Sequence, residues 1–387
     1  MHDAIYFPIY RAKKGEIAGI GHLSPTAITR VRPTFEVQKP DEDSDAPLEE
    51  YLAGIAAELS QTWDHRYPLF ADFPRFAPSD RTKNGKHCVE YFFECLRQHR
   101  MLGIPVTGPE AVRGPGYFYL DAVASIAHAD GRGAAVRVPF NEFNENSKFQ
   151  RAIDNTLRAL KLDPSAVDLF LDIEAIRFLP RQYRNTEGLV SLLLEPLRLI
   201  NSAGFRNIIF CGSCIPENVD KRYNGRAMRV ERTDYWAWQK LIDLTGDVMI
   251  RFGDYGVIFA LEQDPDGPVR PPARIRLSTS TEHVLWRAPR EDYLSLSELV
   301  AASDDFDREF NAWGTTVLLQ CARFGKGKGG PTEWIARDTN LSAEVTVRAM
   351  EAFLRRAGRL SGVNFASTES FAWNQALIGS EPSPVRA

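Results

Sequence analysis

Asp172 and Glu174 are two acids, two residues apart, at the end of the apolar run 167–173 (VDLFLDI). In a strand that spacing puts both carboxylates on one face. Such a pair can hold Mg²⁺ or divide acid and base work between its members. It can equally join Arg137 and Arg251 from neighbouring strands in a structural network, because a buried charge is costly unless it is paired. The run 251–256 (RFGDYG) is the second candidate. Two glycines bracket Asp254 and Tyr255, so a tight turn presents an acid and a phenol inward. A plain Asx turn with Tyr255 packed on a rim is the bland alternative.

Further charges end other short runs. Arg11 and Lys13 follow the run 5–10, Glu36 closes 28–37, and Asp72 and Arg75 end 67–73. Arg137 and Asn141 belong to 134–140 and its exit, and Ser213 and Glu217 follow 205–211. Glu36, Asp72 and Asp172 are candidate Mg²⁺ ligands. Arg11, Lys13, Arg137 and Arg251 are candidates to hold phosphate oxygens. Cys211, Gly212, Ser213 and Cys214 form a C-x-x-C. A redox role needs that motif at a helix N-terminus, and a zinc role needs two more ligands. With no second C-x-x-C, the preferred reading is that Gly212 and Ser213 offer backbone N–H groups to an anion. The loop 325–332 (GKGKGGPT) lacks the P-loop order; it reads as a solvated linker, or as a basic loop touching nucleic acid.

Strands must position these side chains. The runs 5–10, 28–37, 67–73, 104–107, 134–140, 167–173, 205–211 and 247–252 are β-branched or aromatic. Helical periodicity marks 48–59, 89–102, 149–162, 189–200 and 235–244 between them. Strands alternating with helices imply a parallel sheet with right-handed crossovers. Eight units predict a TIM-like (β/α)8 barrel, whose working residues sit at the C-terminal strand ends. A doubly wound open sheet is the rival, and 104–107 is the weakest of the eight. The expected division is a barrel over 1–322, then a basic loop and a C-terminal helical extension over 323–387. Within the first part, 263–273 reads as a loop and 275–286 as irregular strand or hairpin.

The strand ends also resemble a known family. Tyr6-Phe7-Pro8-Ile9, then Lys13-Lys14-Gly15-Glu16, then Arg32-Pro33-Thr34-Phe35-Glu36-Val37 are similar to the opening of the beta family, the phage beta protein and its bacterial relatives. Leu171-Asp172, Cys211-Gly212-Ser213 with Pro216, Gly253-Asp254-Tyr255-Gly256 and Trp334-Ile335 continue the resemblance. The family pattern then carries a histidine-containing stretch, whereas 336–343 has no histidine. The resemblance implies a barrel-like fold and a phage or mobile-element context. It supplies no activity.

Composition narrows the classes. Charged residues are 25% of 387, and the formal net charge of −4 argues against general nucleic-acid or membrane binding. Five cysteines make no disulfide framework. No apolar stretch approaches a bilayer span, and the start lacks a secretory pattern, so the expected home is the cytoplasm. Two function classes remain. One is a metal-assisted phosphodiester or nucleotide hydrolase in phage or anti-phage biology. The other is a non-enzymatic binding or sensor subunit with a protein partner in a defence or phage complex.

Overall fold

The alternation read from the sequence is what the computed structural model contains. It describes residues 4–40, 47–113, 118–246, 249–261, 272–327 and 329–360. The tail 380–387, most of the loop 263–273 and the first residues of the run 247–252 lie outside the described residues. Among the described residues, eight strands run parallel in one sheet. They are β1 (Ile9–Arg11), β2 (Thr34–Glu36), β3 (Leu69–Asp72), β4 (Gly103–Thr107), β5 (Ala134–Pro139), β6 (Val167–Ala175), β7 (Asn207–Ser213) and, after β8 (Ala227–Glu231) has left for another sheet, β9 (Ile250–Asp254). Tyr6 bridges Val31 on one side and Phe252 on the other, and Phe7 N donates to Phe252 O at 2.8 Å. The last strand therefore meets the segment leading into the first, and the sheet closes into a barrel without open edges.

Local chemistry accounts for the elements that sequence periodicity blurs. The run expected as one strand over 28–37 is partly helix. Pro25 takes the first position of helix Pro25–Arg30, and the Ser24 side chain accepts from Ala27 N at 3.2 Å. That cap turns the chain helical, and only Thr34–Glu36 remains strand. The weak fourth run is a full strand. Its Gly103 lets Phe93 and Leu96 lie where a Cβ would be 2.9 and 2.8 Å from their side chains. The strand signal is thin because the residue that permits close packing has no side chain.

Beyond β9 a second, antiparallel sheet forms from β10 (Arg274–Ser278), β11 (Glu282–Arg287) and β8, in the order β10-β11-β8. It shares a small core, including Ile275, Val284, Leu296 and Trp334, with helices Tyr293–Ala302 and Trp313–Phe324 and the start of the long helix Pro331–Arg356. The division expected at 322–323 falls inside helix Trp313–Phe324. The C-terminal helix joins the barrel's outer layer. Phe353 packs on Trp238 with ring centroids 5.3 Å apart, Glu351 pairs with Arg30 at 2.7 Å, and Asn340 Nδ2 donates to Gly19 O at 3.3 Å. None of the described helices is long and apolar enough to cross a membrane.

Candidate functional site

Side-chain alternation along each parallel strand sends one set of residues into the barrel. Phe7, Phe70 and Phe170 fill its waist, with rings 5.5–6.4 Å apart in tilted or edge-on contacts. One layer above, at the C-terminal ends, the inward residues change from apolar to charged. Strand register places Arg11 beside Glu36, and Glu36 beside Asp72.

Arg137 reaches across this layer from β5. Its Nη1 donates to Glu36 (2.7 Å) and Asp72 (2.9 Å), its Nε to Asp172 (2.7 Å), and its Nη2 to the Tyr255 hydroxyl (2.5 Å). Tyr255 in turn donates to Asp172 Oδ2 at 2.6 Å. Asp72 is fully buried, and its other oxygen accepts from Arg113 (2.5 Å) and Phe73 N (2.8 Å). Burial alone would lower the Arg137 pKa. Tyr255, Asp172, Glu36 and Asp72 outweigh it and hold the guanidinium's pKa well above its usual value. Burial raises Glu36, and Arg137 opposes that rise.

Glu174 differs from these paired acids. Burial, followed by repulsion from Asp172, pushes its carboxyl up to about 7. It is half-buried, its φ is +53°, and it sits where β6 slips register against β7 between Asp172 and Ala175. A bulge with a left-handed residue re-aims a side chain at a strand end, and costs conformational energy for a non-glycine. Asp172 Oδ1 braces the bulge by accepting from Glu174 N at 2.8 Å.

Glu36, Asp72, Arg137, Asp172, Glu174 and Tyr255 thus share one mouth, with Arg11 and Lys13 at the adjoining end of β1. Asp254 is not in it. Consecutive residues of a strand face opposite ways, and Asp254 points outward, where it accepts from Tyr6 Oη (2.6 Å), Gly256 N (2.8 Å) and Arg232 Nη2 (3.3 Å). Its pKa is raised by burial, against the pull of Arg232. Arg251 is not in it either. It lies near the start of β9, toward the other end of the barrel, with Nε 3.4 Å from Asn207 Oδ1. Ser213 is buried, and its hydroxyl accepts from Ile215 N at 3.2 Å; Gly212 lies against Ile173. The C-x-x-C splits across the sheet wall. Cys211 packs in the barrel core and Cys214 contacts Asp234 outside at 3.1 Å; both thiols are free.

The glycines of RFGDYG do separate jobs. A Cβ on Gly253 would sit 2.4 Å from Phe7 O, so this glycine permits closure against the first strand. Gly256 takes the turn, at φ +59°.

Glu36, Asp72 and Asp172 do converge, but on a guanidinium. The seat a metal would take among them is filled by Arg137. Among the described residues no group of three or more His, Cys, Asp or Glu side chains is arranged to hold an ion. Arg113 belongs to the layer and was missed from sequence. It lies in the four-residue helix Glu110–Arg113 that follows β4, and the strand-end rule applied to the weak run 104–107 finds it. No sequence signal points to Arg232, which stands outside the barrel immediately before helix Thr233–Leu244.

No curated protein matches the chain. Among solved structures, an alanine racemase of Clostridium difficile 630 in complex with cycloserine is similar at 11% identity, over 72% of this chain and 61% of that chain, with a TM-score of 0.34. The chain therefore spans less than two thirds of that protein. Residues 6–341 match the family model described as Beta protein, and on that match the chain belongs to the Beta protein family.

Proposed function

We propose that the chain is an enzyme acting on an anionic, phosphate-bearing substrate at the C-terminal mouth of the barrel, with Glu174 as general acid–base. The observation that carries this reading is Glu174 itself. A half-buried carboxyl near 7, aimed by a strained bulge beside a fixed arginine, suits proton transfer at neutral pH. Arg11 and Lys13, at the end of β1, are the proposed contacts to phosphate oxygens. Arg137 is committed to its acids and positions the layer. Tyr255 and Asp172 keep that arginine in place, and Asp172 adds its repulsion to the burial that lifts Glu174. Phosphodiester or nucleotide hydrolysis is the reaction class, and the family resemblance favours a phage or anti-phage setting. Mg²⁺ would have to be brought by the substrate or bind outside the Arg137 cluster.

The test is hydrolysis of nucleotides, a bis-nitrophenyl phosphodiester and short nucleic acids, with Mg²⁺ or with EDTA. Glu174→Gln should lower kcat by roughly 10²-fold or more with little change in KM, the usual scale for a lost proton-transfer group. Turnover unaffected by this change removes Glu174 from the mechanism. No turnover of any substrate favours the second reading, a binding or sensor subunit. One observation supports that alternative: Glu36, Asp72 and Asp172 are already satisfied within the protein. Affinity purification from phage-infected cells should then return one stoichiometric protein partner.

A further inference from the structure

A cavity of about 510 Å³ lies away from the barrel mouth, between the end of β10, the acidic turn after helix Tyr293–Ala302, and the long C-terminal helix. This volume is in the range of small-molecule sites. Its long-helix wall is Leu341, Val345 and Ala349, at spacings of four that make one helical face, with Arg348 beside them. Phe306 and Phe310 also line the cavity, and Leu277 lines the sheet side. The body of an occupant would therefore meet an apolar slot with aromatic rings.

The polar groups around that slot are unequal. On the sheet side the hydroxyls of Ser278 and Thr279 are already used. Ser278 Oγ lies 3.0 Å from His283 Nδ1 and 2.7 Å from Ser342 Oγ, while Thr279 Oγ1 accepts from Glu282 N at 2.9 Å. Arg348, the cationic lining residue, lies over the Phe310 ring at 5.0 Å. The acidic turn supplies Asp304, Asp305 and Asp307 to the same rim. Asp305 is tied to Arg229 at 2.6 Å, and Asp307 accepts from Glu309 N at 3.0 Å. Asp304 is exposed. The rim therefore holds more acceptor than donor capacity and a surplus of negative charge.

We propose that this cavity is a second ligand site, for a small organic cation with a flat apolar body, such as an aryl-alkyl amine. The ring lies between the Phe306 and Phe310 side and the Leu341–Val345 face. The ammonium sits at the rim and donates to Asp304 and Asp307. A charge-assisted hydrogen bond is stronger than a neutral one. An anion of the same shape would meet Asp304 and Asp307, with Arg348 as the lining cation and Asp305 already paired with Arg229. The site is independent of the barrel mouth and of its proposed chemistry.

The experiment is calorimetric titration and thermal denaturation of the full chain with tryptamine, against indole-3-propionate as the anionic probe of matching shape. Tryptamine should bind and raise Tm, and indole-3-propionate should bind at least about tenfold more weakly. Asp304→Asn combined with Asp307→Asn changes exposed rim positions only and should weaken tryptamine by about tenfold or more, the loss of a charged hydrogen bond. Val345→Trp fills the slot and should abolish binding, with circular dichroism reporting its fold; the rim variants decide the matter if it misfolds. Glu174→Gln should bind tryptamine normally. Failure of tryptamine to bind, equal binding of the two probes, or tryptamine binding unmoved by the rim changes overturns the proposal.

Discussion

Arg137 is one cation shared by three acids, and Glu174 is the acid it does not neutralise. Arg137→Met leaves Glu36, Asp72 and Asp172 together with one counter-charge removed. The expected cost is about 3–5 kcal/mol, as for breaking a buried pair from one side. Urea unfolding measures it, and a loss below 1 kcal/mol means that the layer relaxes or takes up protons. Arg137→Lys should not restore the wild-type value, because an ammonium lacks the planar fork that reaches four partners at once. Glu174 makes a pH prediction whose sign is opposite to that of a salt-bridged acid. Its folded pKa, about 7, lies above the ordinary 4.5. Between those values the folded chain keeps a proton that the unfolded chain has lost, so stability falls as pH rises through that window. Buried Asp338, also raised to about 7 mainly by burial, adds to the same slope. The informative quantity is therefore a difference: Glu174→Gln should flatten the fall in Tm between about pH 4.5 and 7. Parallel wild-type and variant profiles would show that Glu174 titrates normally.

The decisive contact between elements is that of helix Lys14–Gly21 with the long helix. A Cβ on Gly19 would lie 2.5 Å from Ala336 O and 2.8 Å from Thr339 Cβ, both on a buried helix. Gly19→Ala must push the two helices apart and should cost about 1–3 kcal/mol, the usual price of overpacking. Gly54, in helix Leu48–Thr62, is the control, since nothing lies within 4 Å of its Cβ position. Gly54→Ala should stabilise by about 0.5–1 kcal/mol through helix propensity. Thermal or urea melts of the pair check both. If the two changes have equal effects, the close approach is not tight. Helix Lys14–Gly21 also follows directly from Arg11 and Lys13, so moving it should disturb the proposed phosphate contacts.

For the whole molecule, the closing helix makes the barrel and the antiparallel sheet one folding unit. Arg232 is fully buried and donates to Asp254 at the end of β9, to Thr346 Oγ1 at 3.0 Å on the long helix and to Thr279 O at 3.1 Å after β10. Each of these three acceptors belongs to a different structural layer. A chain ending at residue 330 removes the Thr346 acceptor of that guanidinium and uncovers Trp238. It should fail to show the single cooperative unfolding transition expected of the full chain, by circular dichroism and near-ultraviolet probes followed together. A truncated chain that melts sharply at the wild-type temperature would make the helix dispensable.

Periodicity made the barrel legible because burial on both faces forces apolar runs, and return helices force their spacing. The strand-end rule then drew Glu36, Asp72, Arg137, Asp172, Glu174 and Tyr255 to one place, since a closed parallel sheet has a single C-terminal mouth. Which face each side chain takes was decided in three dimensions. Asp254 and Tyr255 are neighbours in sequence yet lie on opposite sides of the wall, through a one-residue phase that periodicity does not fix. Arg251 follows the same logic in depth, because where β9 begins in the barrel depends on its pairing with β7. That the three acids surround Arg137 rather than an open cation seat, and that residues 331–356 complete the outer layer, depend on contacts between residues from 35 to 321 positions apart. The sequence determined which elements form and which charges end them; only tertiary packing decided which charges neutralise one another, because that depends on distance and burial rather than on order along the chain.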